Sequence, residues 1–304
     1  SMEFHVIASL QELGHDCTVV PFGPDPLKTL YEIQGLKPDL VFNLTEHFHG
    51  DRRQDAHIAG MLELLGLRYT GSGPDALMLC RDKILCKRLL GHHRIHVPRF
   101  YSVPVGKKKL RGKLPFPMIV KPAWEDGSDG ISISSIVDQE SDLYHRIGMI
   151  HDRMKQPAIC EEYIEGRELY VGLLGNERLT ALPAREIRFG RTGEGGPSIA
   201  TSRVKWDEAY RDKWHITYDH ADLPADEERK VAHLSKRIMR ILQIRDYGRI
   251  DLRVTPQGQI VFLEANPNPN ICAGEDIAEA AERIGIGHTE LIQRIVNIAL
   301  KRYG

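Results

Sequence analysis

The 304-residue chain lacks several features that would classify it at once. Its five cysteines (Cys17, Cys80, Cys86, Cys160, Cys272) are scattered and form no CxxC pair. That excludes a disulfide framework or a zinc ribbon and leaves small core residues as the expectation. No apolar run approaches the roughly 18 residues of a membrane helix, and nothing N-terminal resembles a secretory signal. There is no charge excess either: 41 Lys plus Arg against 42 Asp plus Glu give a formal net charge of -1 with 14 histidines neutral. A chain built to coat nucleic acid would carry a basic surplus. Internal repeats and low-complexity tracts are absent. What is present is ordinary: 41% hydrophobic and 27% charged residues, enough for a full core and against wholesale disorder. A cytoplasmic protein without nucleic-acid or membrane partners is expected, with two or three domains at this length.

The first eighty residues alternate helix and strand patterns. Phe4, Ile7, Ala8 and Leu10 recur at helical spacing up to Gly14, and Cys17-Thr18-Val19-Val20-Pro21 reads as a strand. A helix over 27–34, a buried parallel-type strand over 39–43 and an amphipathic helix over 56–65 follow. Such alternation predicts an α/β unit with a parallel sheet and helices on both faces. Ser1-Met2 reads as a cloning remnant, and a unit of this type begins with a strand, so a first strand missing from the N-terminus is expected. From residue 81 the pattern turns to α+β: a helix over 81–91, strands over 118–121, 131–133 and 158–161, and a helix over 141–154. Strands over 168–174 and 179–187, a glycine-rich loop, a helix over 226–242, a hairpin over 249–266 and a helix over 288–302 complete the chain.

The hairpin is the most informative piece. Pairing Thr255 with Ile260 across the Pro256-Gln257-Gly258-Gln259 turn sets Asp251 opposite Glu264 and Arg249 opposite Asn266. Opposed carboxylates repel. A divalent cation removes the conflict, and Asn266 adds a neutral oxygen; oxygen-only donors favour Mg²⁺ or Mn²⁺ over Zn²⁺. An exposed hairpin whose acids pair with Arg249 and Arg253 fits the same register. A second segment, Val120-Lys121-Pro122 followed by Gly127-Ser128-Asp129-Gly130, can set an ammonium and backbone N–H groups around phosphates, although it is no P-loop. A third, Glu161-Glu162-Tyr163-Ile164 leading to Glu168, offers hydrogen-bonding edges to a flat base and an acid to ribose hydroxyls. Each of these two, taken alone, reads more readily as a structural turn. Glu46-His47-Phe48-His49 lacks the third ligand at helical spacing that a zinc site needs.

In this order the three segments resemble the ATP-grasp superfamily, and within it the D-alanine–D-alanine ligase family. The resemblance is carried by His49-Gly50, Tyr69-Thr70-Gly71-Ser72-Gly73, Asp82-Lys83, Ile119-Val120-Lys121-Pro122, Arg249-Ile250-Asp251 and Leu263-Glu264-Ala265-Asn266. It implies an ATP-grasp fold with an N-terminal pre-ATP-grasp domain (1–80), a linker helix and small central subdomain (81–168) and a C-terminal subdomain (169–304). It implies ATP held by Lys83, Lys121, Glu161, Glu162, Tyr163, Ile164, Glu168, Lys205 and Leu263. Asp251, Glu264 and Asn266 would be ligands of two Mg²⁺ (or Mn²⁺) ions, and Arg249, Lys205 and Ser128 the catalytic residues. The implied activity joins a small-molecule carboxylate to an amine through an acylphosphate, in an enzyme for which a homodimer is allowed. The segments 127–130 and 190–202 would be lids.

The substrate positions depart from that family. Its loop continues His-Gly-x-x-Gly-Glu-Asp-Gly, whereas here His49-Gly50-Asp51-Arg52-Arg53-Gln54-Asp55-Ala56 puts Gln54 at the acid. The glutamate that holds the first D-alanine would precede residue 1, and Gly127 replaces its serine partner, leaving Ser128. Trp206 stands for a tyrosine, Asn270 for a glycine and Glu275 for the serine that meets a carboxylate. A ligase with other substrates, with an amine that lacks a free carboxylate, is expected. A true D-alanine–D-alanine ligase and a non-catalytic ATP-binding regulator remain the alternatives.

Overall fold

The structure, a computed structural model, describes residues 1–107, 110, 114–125, 130–190 and 199–304. Helices α1 (Met2–Glu12), α2 (Pro26–Leu36), α3 (Asp55–Leu64), α4 (Pro74–Arg81) and α5 (Lys83–His92) come first. Strands β1 (Phe100–Val103), β2 (Met118–Pro122), β3 (Ile136–Val137) and β4 (Ala158–Glu162) form a small antiparallel sheet in the order β1-β4-β2-β3. Helix α6 (Glu140–Met154) buries Leu143, Ile147 and Ile150 with Met118 and Val120 of this sheet. A larger antiparallel sheet follows: β5 (Arg167–Leu174), β6 (Thr180–Ala181), β7 (Arg185–Phe189), β8 (Ile216–His220), β9 (Tyr247–Val254) and β10 (Ile260–Asn266). Its order is β10-β9-β5-β7-β8, with β6 beside β5. Around it lie α7 (Ser202–Trp206), α8 (Glu208–Trp214), α9 (Ala225–Ile241), α10 (Asp276–Glu282) and α11 (His288–Arg302).

Helix α9 shows why these elements form. Asp226, Glu227 and Glu228 fill its first turn, where the unpaired N–H groups favour negative charge. Val231, Ile238 and Met239 recur on one face and bury it against Leu169, Ile250 and Leu252 of the large sheet. In β9 the alternation is strict: Ile250, Leu252 and Val254 enter that core, so Arg249, Asp251 and Arg253 share the opposite face.

The N-terminal parallel sheet is reduced to one parallel bridge, Val41 to Tyr69, made by Val41 N–H to Arg68 O (2.8 Å) and Thr70 N–H to Val41 O (3.0 Å). Residues 17–21 form no strand; Val19 is 63% exposed, so nothing there rewards an extended pairing. In α1 the buried face is Met2, Val6 and Ser9, while Phe4 is 68% exposed, because α1 rests on α11 through that other face. The helix expected over 81–91 is α5, and α4 precedes it where no helix was expected. Asp82 separates the two and caps α5, its carboxylate accepting from the N–H groups of Ile84 (3.0 Å) and Leu85 (2.9 Å). The strand over 131–133 gives way to a 3-10 turn, Ile133–Ser135, in which the Ser135 hydroxyl takes the Ser132 N–H at 3.0 Å. The strand over 179–187 is split into β6 and β7 around Pro183, which has no N–H for the ladder.

Candidate active site

The two sheets meet along a cleft of about 610 Å³, counting its mouth open to solvent. Lys121 and Glu161 enter from the small sheet; Glu168, Asp251, Arg253, Leu263 and Glu264 enter from the large one. The link Glu162-Tyr163-Ile164 closes one end and Lys205 of α7 another. Gly166 makes the turn out of this link at φ +145°, where a Cβ would come within 2.1 Å of the Val254 carbonyl oxygen.

A bulge in β10 aims the key side chains. Ile260, Val261 and Phe262 pair with Val254, Arg253 and Leu252, then the register shifts, and Glu264, Ala265 and Asn266 pair with Asp251, Ile250 and Arg249. The opposition of Asp251 to Glu264 and of Arg249 to Asn266 is as the sequence predicts. Near the turn the pairing is one residue off, because the loop closes between Thr255 and Gln259 with Gly258 at φ +77°. Leu263 is the extra residue. It lets Phe262 and Ala265 enter the core while Leu263 and Glu264 both face the cleft.

The acids of the site are held by cations. Glu161, 1% exposed, lies 2.9 Å from the Lys121 ammonium and 3.2 Å from that of Lys87. Burial pushes its carboxyl up, but Lys121 and Lys87 outweigh that and keep it below the usual range. Glu168 accepts from the Tyr170 hydroxyl (2.8 Å) and pairs with Arg253, whose Nη1 also donates to the Ile164 carbonyl (2.8 Å). Glu264 takes the Lys83 ammonium at 2.6 Å; against burial, Lys83, Lys205 and Lys121 bring its carboxyl down to about 2. Asp251 behaves differently. Burial raises it despite a two-point clasp by Arg249, at 2.8 and 3.0 Å. Arg249 reaches onward to Asp276 at 3.2 Å.

Most predicted residues therefore converge. Lys121, Glu161, Glu162, Tyr163, Ile164, Glu168, Lys205, Leu263, Asp251 and Glu264 line the cleft. Lys83, Arg249 and Asn266 stand directly behind it, on Glu264, Asp251 and Asp251 respectively, the Asn266 amide at 3.4 Å. The Glu162 carboxylate turns away to Arg99 (2.8 Å), so its charge is engaged outside the cleft. Ser128 and the glycine-rich segment 127–129, with residues 191–198 of the second expected lid, lie outside the described residues. The hairpin is not the exposed alternative: Arg249 and Arg253 do pair with acids, but they do so buried. Lys87, Tyr170 and Asp276 escaped the sequence reading, and Arg253 entered it only as a partner for the hairpin's acids.

The donor set suits a hard cation. Asp251 and Glu264 face each other across paired strands and Asn266 adds an amide on the same face, all through oxygen. Among the described residues no group of three His, Cys, Asp or Glu side chains gathers, so the candidate set is two acids and an amide. Among those residues, too, no helix is long and apolar enough to cross a membrane.

Comparisons with known proteins show what the chain is similar to. The family described as D-ala D-ala ligase C-terminus matches residues 103–297. A D-alanine–D-alanine ligase of Bordetella petrii is 33% identical over 276 residues, covering 90% of this chain and 79% of its own. An uncharacterised protein of Sinorhizobium fredii is 34% identical over 309 residues, covering 98% and 87%. Among solved structures, the D-alanine–D-alanine ligase of Bacillus anthracis complexed with ATP gives a TM-score of 0.78 at 21% identity, over 100% of this chain and 93% of that one. A D-Ala:D-Ser ligase of Enterococcus faecalis gives 0.70 at 22% identity, over 86% and 73%. At these identities the structural likeness is one of fold.

Proposed function

The chain belongs to the D-alanine–D-alanine ligase family, ATP-grasp ligases that form C–N bonds, and from that premise we propose that it couples a carboxylate to an amine through an acylphosphate, with substrates other than two D-alanines. The observation that carries the reading is the cleft itself, where Lys121, Lys205, Glu168, Asp251 and Glu264 meet between the two sheets. In this reading ATP has its base at the Glu162–Ile164 link and Leu263, its ribose at Glu168 and its phosphates toward Lys83, Lys121 and Lys205. Asp251, Glu264 and Asn266 would hold Mg²⁺ or Mn²⁺, which supplies neutralisation of phosphate charge when bound. Ser128 keeps its role on resemblance alone.

A substrate carboxylate oxygen attacks the γ-phosphorus, the bond to the β,γ-bridging oxygen breaks, and ADP leaves. The amine nitrogen then attacks the acyl carbon, phosphate departs with its electron pair, and the amine proton passes to solvent. Arg249, its guanidinium fixed by Asp251 and Asp276, stabilises negative charge in both steps. Positioning and charge neutralisation are the protein's share. The division of the chain at residues 80 and 168 belongs to the same proposal; the second boundary is supported by the two sheets lying on either side of the 163–166 link, whereas the first falls inside α4.

The acceptor end supports the choice of other substrates. Glu275 is exposed where α10 begins; its neighbours Asp276 and Glu279 lie against Arg185 and Arg249, so Glu275 is the acid that would repel a second free carboxylate. A screen of carboxylates against amines, read by phosphate release, tests the proposal: release must require one of each. With an ¹⁸O-labelled carboxylate, one label must appear in the phosphate. Release without any acceptor would point to a nucleotide binder with idle hydrolysis instead.

A further inference from the structure

Helix α5 sends two lysines, one turn apart, into the seam between the sheets. Lys83 bonds the Glu125 carbonyl at the end of the small sheet and Glu264 of the large one. Lys87 does the same deeper down: its ammonium bonds the Leu263 carbonyl of β10, lies 3.2 Å from Glu161 of β4 and sits 5.2 Å from the Phe262 ring centroid. Lys87 is only 1% exposed, so it touches nothing that enters from solvent. A fully buried ammonium is costly unless it is paired and hydrogen-bonded. An apolar side chain would pack against Phe262 and Cys86 without that cost, so the charge calls for a reason of its own.

The reason lies in what Lys87 holds. Glu161 has one oxygen toward Lys87 and the other toward Lys121, the lysine that reaches the cleft. The Leu263 carbonyl belongs to the bulge residue whose side chain lines the same cleft. One ammonium thus fixes the carboxylate behind Lys121 and ties β4 to β10, and so sets the distance between the cleft's two walls. We propose that Lys87 is a positioning residue for nucleotide binding, acting through Glu161 on Lys121 and through Leu263 on the opposite wall. This rests on the nucleotide reading of the cleft.

The test is a double-variant cycle read by calorimetric titration with Mg-ATP, with melting temperatures taken alongside. Lys87→Met, unbranched and of similar length but uncharged, should weaken binding about tenfold, and Lys87→Arg should recover much of that loss. Lys121→Met should cost less in the Lys87→Met background than in the wild type, because Lys121 is already misplaced there. Unchanged affinity in a folded Lys87→Met protein overturns the proposal. So does a loss strictly additive with that of Lys121→Met, since a purely structural lysine would lower melting temperature without coupling to Lys121. Where Lys87→Met cannot be obtained folded, Lys87→Gln enters the same cycle under the same criteria. A wild-type protein that fails to bind Mg-ATP would sink the nucleotide reading itself, a separate result.

Discussion

The floor of the cleft and the positions proposed for the acceptor treat polar side chains in opposite ways. On the floor the charges are buried and matched at short range: Glu161 between Lys121 and Lys87, Glu168 against Arg253 and Tyr170, Glu264 against Lys83. At those positions, the proposed rim, none of which lines the cleft, Trp206 is 67% exposed, Glu275 is exposed, and Gln54 is bonded to its own loop through Asp51 at 3.2 Å. Removing one partner of a buried pair strands the other, at about 3–5 kcal/mol. Exchanging an exposed charge costs roughly 0–1 kcal/mol. The floor is therefore held in place by burial, while the rim is free to vary with the molecules it selects.

The sharpest break in that contrast comes from the floor. Lys121→Ala and Glu264→Ala should each reduce substrate-dependent phosphate release at least about a hundredfold, and full activity in either folded variant would remove that residue from the site. Arg249→Lys should lower kcat by about the same order while leaving the ATP KM nearly unchanged, because an ammonium cannot clasp Asp251 and reach Asp276 together. Steady-state kinetics at saturating ATP separate the two parameters. At the rim, Glu275→Ser should leave ATP binding alone and shift preference toward carboxylate-bearing amines by about tenfold; a changed ATP affinity would join rim to floor and dissolve the contrast.

The smallest effect is one of pH. The Glu264 carboxyl lies at about 2, below its ordinary 4.5. A carboxyl lowered in the folded state stabilises the fold above its unfolded value, and that contribution is lost as pH falls toward the folded one. Acid unfolding should therefore show stability falling from about pH 4.5 toward 2 in the wild type, with a flatter slope in Glu264→Gln. Equal slopes would contradict the Lys83 and Lys205 fields around this carboxylate.

Much of the floor was legible because strand periodicity and hairpin arithmetic are local. The order of polar residues in 249–254 and 260–266 opposed Asp251 to Glu264, through a turn register one residue off that the bulge at Leu263 compensates. The bulge at Leu263 was not legible, since the extra residue is decided by which side chains the core accepts and not by the turn. Lys87 was hidden for the same reason: a lysine within a helix reads as a solvated face until two sheets are seen closing over it. In the first eighty residues the apolar runs at 17–21 and 39–43 looked like strands, but only Val41 found a neighbour, at Tyr69. Strand propensity cannot supply a partner. The rim showed in the sequence as departures from a pattern, which say what the site has lost more readily than what it selects.

The central claim, an ATP-driven carboxylate–amine ligase not made for two D-alanines, is met most directly by one side-by-side assay. Phosphate release and product mass are measured with D-alanine as the sole substrate and with the full panel of acid–amine pairs, under the same Mg-ATP. The account predicts that some pair supports release well above D-alanine alone and yields the mass of the corresponding amide. D-alanyl-D-alanine formed faster than every other product would contradict it.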